Sequence, residues 1–132
     1  MNILKDKLIY DLKDISTDDN IFLVGGYLRN YFIDGTISSD RDIVCVHDSY
    51  SFAKKLLEKF GGTFVELDEE NKIYRVVLKD KTNYFDISQA LNNDIEQDAK
   101  RRDFTINSIY YDIKKDEIYD PLNGISDIKN RL

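Results

Sequence analysis

The chain has 132 residues, of which 42% are hydrophobic and 33% are charged, and its formal net charge is −6 at pH 7. These values are typical of one globular domain with a modest core, and they argue against a protein that grips nucleic acid through a basic surface of its own. The apolar runs are too short for a membrane span, the N-terminus lacks an apolar signal region, and the single cysteine, Cys45, excludes an internal disulfide. We therefore expect a cytoplasmic protein with no membrane partner.

The hydrophobic spacing predicts elements that alternate at first and end in hairpins. Residues 3–13 place apolar side chains on one helical stripe. Strands are predicted at 21–24, across Asp40 and Asp42, and at 63–67, 73–78, 84–88, 110–113 and 117–119. Helices are predicted at 27–33, 49–60, in two pieces within 94–110, and again after Pro121. This order indicates an α+β fold, a small mixed sheet with helices packed on one face and the other face open for a site.

Two glycines, Gly25 and Gly26, stand where the first strand ends and a helical pattern begins. Such a turn can offer bare backbone N–H groups to an anion. Taken alone, the pattern is also typical of a tight turn that binds nothing.

Three aspartates are the candidate catalytic carboxylates. Asp40 and Asp42 are two residues apart on a predicted strand, so they share one face, where two carboxylates would suit a Mg²⁺ ion. Asp86, on the predicted strand 84–88, is a plausible third carboxylate if its strand lies beside that of Asp42. Otherwise Asp40 and Asp42 could be solvated turn residues, and Asp86 a surface residue at a strand end. A phosphate-binding turn with a magnesium pair suggests chemistry on a nucleoside triphosphate.

Four motifs then occur in a fixed order: Val24-Gly-Gly-Tyr-Leu-Arg29, Asp40-Arg-Asp-Ile-Val44, Asp98-Ala-Lys-Arg-Arg-Asp-Phe-Thr-Ile-Asn107 and Asp120-Pro-Leu-Asn-Gly-Ile-Ser-Asp-Ile128. Together they closely resemble the head domain of class II tRNA nucleotidyltransferases (CCA-adding enzymes) and bacterial poly(A) polymerases, in the DNA polymerase beta superfamily. The resemblance implies a polymerase-beta-like nucleotidyltransferase head at residues 21–120. An N-terminal helix at 1–20 would precede the head, and 121–132 would be the start of a truncated neck.

The resemblance also implies roles for individual residues. Asp40 and Asp42 would hold catalytic Mg²⁺. The residues implied to contact the nucleotide are Gly25, Gly26, Arg29, Arg101 and Arg102. The implied reaction is attack of an RNA 3′-hydroxyl, most naturally a tRNA 3′ end, on the α-phosphate of CTP or ATP.

Departures from the family pattern leave alternatives open. Asn30 stands where the family has aspartate, and the short stretch from Asp86 to Asp98 resembles enzymes that add only part of the CCA end. The Glu-Asp-x-x-Arg motif that selects the nucleotide in the family does not occur in these residues, so a partner chain or a missing part would supply neck and body. Alternatives are a transferase with another acceptor, a poly(A)-type polymerase head, and a regulatory module that binds NTP and Mg²⁺ without turnover.

Overall fold

A computed structural model describes residues 6–15, 20–36, 40–90, 93–101 and 109–131, with Asp40, Asp127 and Arg131 described by their backbone alone. The strands among these residues are Ile21–Val24 (β1), Asp40–Cys45 (β2), Thr63–Asp68 (β3), Ile73–Val77 (β4), Tyr84–Gln89 (β5), Tyr110–Asp112 (β6) and Glu117–Tyr119 (β7). The helices are Lys7–Asp11 (α1, continued by a 3₁₀ turn at Leu12–Asp14), Gly26–Asp34 (α2), Ser49–Phe60 (α3), Ile95–Lys100 (α4) and Gly124–Arg131 (α5).

One mixed sheet joins these strands in the order β3-β4-β5-β2-β1-β6-β7. The pair β2–β5 is parallel, and the other neighbouring strands are antiparallel. The strand β2 is therefore central, and Asp42 lies between Val24 of β1 and Asp86 of β5. The expected neighbourhood of Asp42 and Asp86 is confirmed.

The larger hydrophobic core lies between the sheet and helices α1, α2, α3 and α5. The helix α3 shows how the sequence builds this layer. It begins after Asp48, whose side chain accepts a hydrogen bond from the Ser51 amide, and it ends at Gly61. Its buried residues pack on the inward side chains of the central strands, among them Ile43 and Cys45.

A smaller core lies on the second face of the sheet, because side chains of a strand alternate between its faces. Val24 and Val44 pack there against Ile95 and Ala99 of α4, together with Tyr110. The prediction of a mixed sheet with helices on one face is confirmed for α1, α2, α3 and α5. The short helix α4 in addition covers part of the second face. The remaining part of that face carries Asp42 and Asp86.

The predicted elements agree with the structure over most of the described residues. The hairpin of β6 and β7 and the bounds of α3 are confirmed. The N-terminal helix is shorter than its apolar stripe, and of the predicted helical stretch 94–110 only α4 is described, since 102–108 lie outside the described residues and Tyr110 opens β6. Within the described ranges, none of the helices is long and apolar enough to cross a membrane.

Candidate active site

The turn at Gly25 packs directly against the central strand of the sheet. Gly25 is buried and has φ +81° and ψ −141°, a conformation that side chains disfavour. A Cβ atom at this position would lie 3.2 Å from Oδ2 of Asp42. The backbone of the turn therefore reaches the carboxylate of Asp42 as closely as it does only because residue 25 is glycine.

The helix α2 starts at Gly26 and presents its N-terminus at this turn. Its first turn has no side-chain cap among the described residues, and Gly25 cannot supply one. Unpaired N–H groups and the helix dipole favour an anion at such a terminus. The guanidinium of Arg29 folds back towards it, since one of its nitrogens lies 3.4 Å from the position of a Cβ on Gly26. Gly25, Gly26 and Arg29 thus meet at one place, as the sequence predicted.

Asp42 lines a shallow cavity of about 250 Å³ on the second face of the sheet. The other described lining residues are Val24, Ile73, Asp86, Ser88 and Arg101. Asp40 begins β2, two residues before Asp42, and only its backbone is described. The cavity therefore brings together two of the three predicted carboxylates, Asp42 and Asp86.

Asp86 is engaged by an arginine that the sequence reasoning missed. Arg75 on β4 stands opposite Asp86, and its Nε and Nη2 donate to the two carboxylate oxygens over 2.7 and 2.9 Å. The guanidinium also lies over the ring of Tyr84, 4.5 Å from its centroid. Since both oxygens of Asp86 already accept hydrogen bonds, Arg75 offsets the repulsion between Asp86 and Asp42. An arginine inside the apolar run of β4 was the available signal.

Arg101 reaches the cavity from the end of α4, held by a second residue that the sequence reasoning missed. The carboxylate of Asp98 is fully buried and accepts hydrogen bonds from Nε and Nη2 of Arg101 over 3.0 and 2.8 Å. It also accepts a bond of 2.6 Å from the hydroxyl of Tyr110. Two donors on a buried carboxylate fix its orientation, and with it that of Arg101. The predicted partner Arg102 lies outside the described residues.

The donor set fits a hard divalent cation. Among the described side chains no group of three or more metal-ligating residues occurs. A cation such as Mg²⁺ commonly uses only one or two carboxylates and completes its shell with substrate phosphates and water. The carboxylate of Asp42, beside the glycine turn, can serve as one of these ligands. Of the two predicted metal ligands, Asp42 is the one whose side chain the structure describes.

Comparison with known proteins identifies the family of this chain. The profile described as the poly(A) polymerase head domain matches residues 21–132. The CC-adding tRNA nucleotidyltransferase of Geobacter sulfurreducens is 33% identical over 111 residues, which are 84% of this chain and 26% of that protein. The enzyme of the same name from Synechocystis sp. is 32% identical over 108 residues, 81% of this chain and 26% of that protein.

Solved structures agree in fold. The Thermotoga maritima CCA-adding enzyme, solved in complex with tRNA, superposes with a TM-score of 0.84 at 26% identity, over 98% of this chain and 32% of that one. This chain thus spans about a quarter of the length of the curated relatives, at 26% of each. These relatives are nucleotidyltransferases, and nucleotidyl transfer generally depends on metal ions. The predicted resemblance is confirmed, and the chain belongs to the poly(A) polymerase head-domain family.

Proposed function

We propose that this chain is the catalytic head of a nucleotidyltransferase that transfers a nucleoside monophosphate from an NTP to the 3′-hydroxyl of a tRNA. One observation carries the proposal. The turn at Gly25 lies directly against the carboxylate of Asp42, with 3.2 Å between its Oδ2 and the position that a Cβ on Gly25 would take. Chemistry on a triphosphate needs both groups at the same place.

Each residue of the site has a task in this reaction. The backbone of Gly26 and the guanidinium of Arg29 bind the triphosphate, and Arg101 offsets negative charge at the cavity rim. Asp40 and Asp42 would hold Mg²⁺, which when bound supplies charge neutralisation and a more acidic attacking hydroxyl. The 3′-hydroxyl loses its proton to solvent, its oxygen bonds to the α-phosphorus, the bond between the α-phosphorus and the oxygen that bridges to the β-phosphorus breaks, and pyrophosphate leaves. Asp86, neutralised by Arg75, keeps its place beside Asp42 as a positioning group.

CTP is the proposed nucleotide. The connection between β5 and α4 runs only from Ala90 to Asp94, which leaves no room for an extended loop at this edge of the site. The two relatives named above share the name CC-adding. We infer that this chain serves the addition of C residues and not of the terminal A.

Other parts of the enzyme, outside these 132 residues, would select the nucleotide base and make most of the contacts with tRNA. The net charge of −6 argues against a basic surface for a large RNA, and the matched residues make up only 26% of each relative. A neck and body, in the same protein or on a partner chain, would supply both. A tRNA acceptor also agrees with the expected cytoplasmic location of the protein.

A transfer assay tests the proposal. The native protein that contains this chain is incubated with Mg²⁺, labelled CTP or ATP, and tRNA transcripts that either lack the CCA end or end in CC. We expect CMP on the first transcript, no AMP on the second, and loss of incorporation in Asp42→Asn. Asp34→Asn, a substitution of an exposed aspartate on α2, is the matched control and should behave as the wild type. AMP addition to the second transcript would contradict the restriction to C, and full activity of Asp42→Asn would contradict the site.

A further inference from the structure

A buried polar cluster lies on the face of the sheet opposite the active site. Its members are Asp6, Tyr27 and Arg41, and we refer to them as the brace. Arg41 is 4% exposed and Asp6 is 7% exposed, so an ion pair has been removed from water here. Removing an ion pair from water costs free energy, which only close contact and near-complete hydrogen bonding can offset. The presence of such a pair in the core therefore requires an explanation.

Arg41 connects the metal-binding strand to its surroundings. It stands between Asp40 and Asp42 on β2, so its side chain points to the opposite face. Its Nε and Nη2 donate to Oδ2 of Asp6 over 3.0 and 2.8 Å. Its Nη1 donates to Oδ1 of Asn83, the residue before β5, over 2.9 Å. A single guanidinium therefore ties β2 to the start of the strand that carries Asp86 and to the N-terminal segment.

Asp6 connects the same guanidinium to the phosphate-binding helix. Its Oδ1 accepts from the Leu8 amide over 3.1 Å and so caps α1. Its Oδ2 also accepts from the hydroxyl of Tyr27 over 2.8 Å, and Tyr27 follows Gly26 in α2. Burial raises the pKa of the Tyr27 hydroxyl, and the hydrogen bond to Asp6 raises it further, so the hydroxyl remains a donor.

We propose that Asp6, Arg41 and Tyr27 are positioning residues that set the distance between the metal-binding carboxylates and the phosphate-binding turn. The proposal rests on the proposed function. It assigns a role to a residue outside the matched family profile, since the match begins at residue 21 and Asp6 precedes it. The brace spans the two elements, β2 and α2, whose contact at Gly25 and Asp42 forms the site.

The site tolerates little displacement of β2 against α2. The approach of 3.2 Å between Oδ2 of Asp42 and the Cβ position of Gly25 leaves little slack between β2 and α2. Phosphoryl transfer depends on alignment, and a misplacement of about 1 Å can cost on the order of 100-fold in rate. Loosening the brace would let β2 shift against α2 by a fraction of an ångström. The residues that bind the metal ion and the triphosphate would themselves be unchanged.

The test uses two variants of the brace in the native protein. Tyr27→Phe removes one hydroxyl and keeps the ring, whereas Asp6→Asn removes the charge that pairs with Arg41. Tyr10→Phe, at an exposed tyrosine of α1, is the matched control. The readouts are kcat and KM for CTP, and the Mg²⁺ concentration at half-maximal rate, at a temperature where circular dichroism shows every variant folded.

We expect Tyr27→Phe and Asp6→Asn to lower kcat about tenfold and to raise the Mg²⁺ requirement, while KM for CTP changes less than twofold. The double variant should lose less than the product of the two single losses, because both substitutions open the same brace. Folded variants with wild-type kcat and Mg²⁺ requirement would overturn the proposal, since a merely structural cluster affects only stability. If Asp6→Asn does not fold, Tyr27→Phe decides.

Failure of the proposed function is distinguishable from failure of the brace. Absence of transfer by the wild-type protein and by Tyr10→Phe would contradict the proposed function alone. The brace is then tested by the amide NMR resonances of Gly25 and Gly26. Shifts in Tyr27→Phe that Tyr10→Phe does not show would support the brace, and unchanged resonances would overturn it.

Discussion

Replacing Gly25 by alanine adds one methyl group at the contact between the turn at Gly25 and Asp42 of β2. Gly35, at the other end of α2, provides the matched control. Both glycines have positive φ, +81° and +76°, so each alanine is strained. A Cβ on Gly35 meets nothing within 4 Å, whereas a Cβ on Gly25 lies 3.2 Å from Oδ2 of Asp42. The pair of variants therefore separates backbone strain from displacement of the carboxylate.

The magnitudes follow from the two backbone conformations. The φ and ψ of Gly35 lie in the left-handed helical region, where a non-glycine residue costs about 1–2 kcal/mol. Gly25 lies in a region that is more strongly restricted to glycine, with a cost of about 1–3 kcal/mol. We expect similar losses in the free energy of unfolding. Only Gly25→Ala also pushes Asp42 by a few tenths of an ångström, which should reduce transfer about tenfold.

Chemical denaturation measures the two unfolding free energies, and the transfer assay at saturating Mg²⁺ measures the rates. The expected result is that Gly35→Ala keeps the wild-type rate while Gly25→Ala does not. Equal rates in the two variants would refute the reasoning, because the contact with Asp42 is the feature expected to lower the rate, and Gly35 lacks it.

Three further outcomes follow from polar contacts, two of them in the site and one, between Tyr111 and Asp116, in the larger core. Asp98→Asn should raise KM for the nucleotide more than it lowers kcat, because the neutral amide holds the guanidinium of Arg101 less firmly; steady-state kinetics over a range of CTP concentrations checks this. Arg75→Ala should tighten divalent-cation binding about threefold to tenfold, since it leaves Asp86 unneutralised beside the metal strand; isothermal titration with Mn²⁺ checks this, and unchanged or weaker binding contradicts it. Burial and a hydrogen bond raise the pKa of Tyr111 above its usual value, so the native state favours the protonated hydroxyl, and the resulting stability is complete below about pH 10 and lost as the pH rises further. The free energy of unfolding, measured from about pH 10 upwards, should fall more steeply with pH in the wild type than in Tyr111→Phe.

The local parts of the site were predictable from the sequence. The turn at Gly25 and Gly26 follows from an apolar run that ends in two glycines, and the place of Asp40 and Asp42 on one strand follows from the apolar residues after them. Both depend on interactions between residues close along the chain. Fold and family were also accessible, because four motifs occur in a fixed order.

The contacts that hold the site in place were not predictable, because they join distant residues. Asp86 and Arg75 are 11 residues apart, and Asp6 and Arg41 are 35 apart, so each pair depends on strand order and register. The placement of α4 on the second face has a similar cause. Its apolar residues Ile95 and Ala99 indicate one buried side but not which face of the sheet they cover.

The most direct test of the central claim is a crystal structure of the protein with Mn²⁺ and a CTP analogue that cannot be cleaved between the α- and β-phosphates. Mn²⁺ accepts the same oxygen ligands as Mg²⁺ and can be located by its anomalous scattering. The account predicts an anomalous peak about 2 Å from the carboxylate of Asp42, with phosphate oxygens at the backbone amides that follow Gly25. A peak at other carboxylates, or a triphosphate bound away from the turn at Gly25 and Gly26, would contradict it.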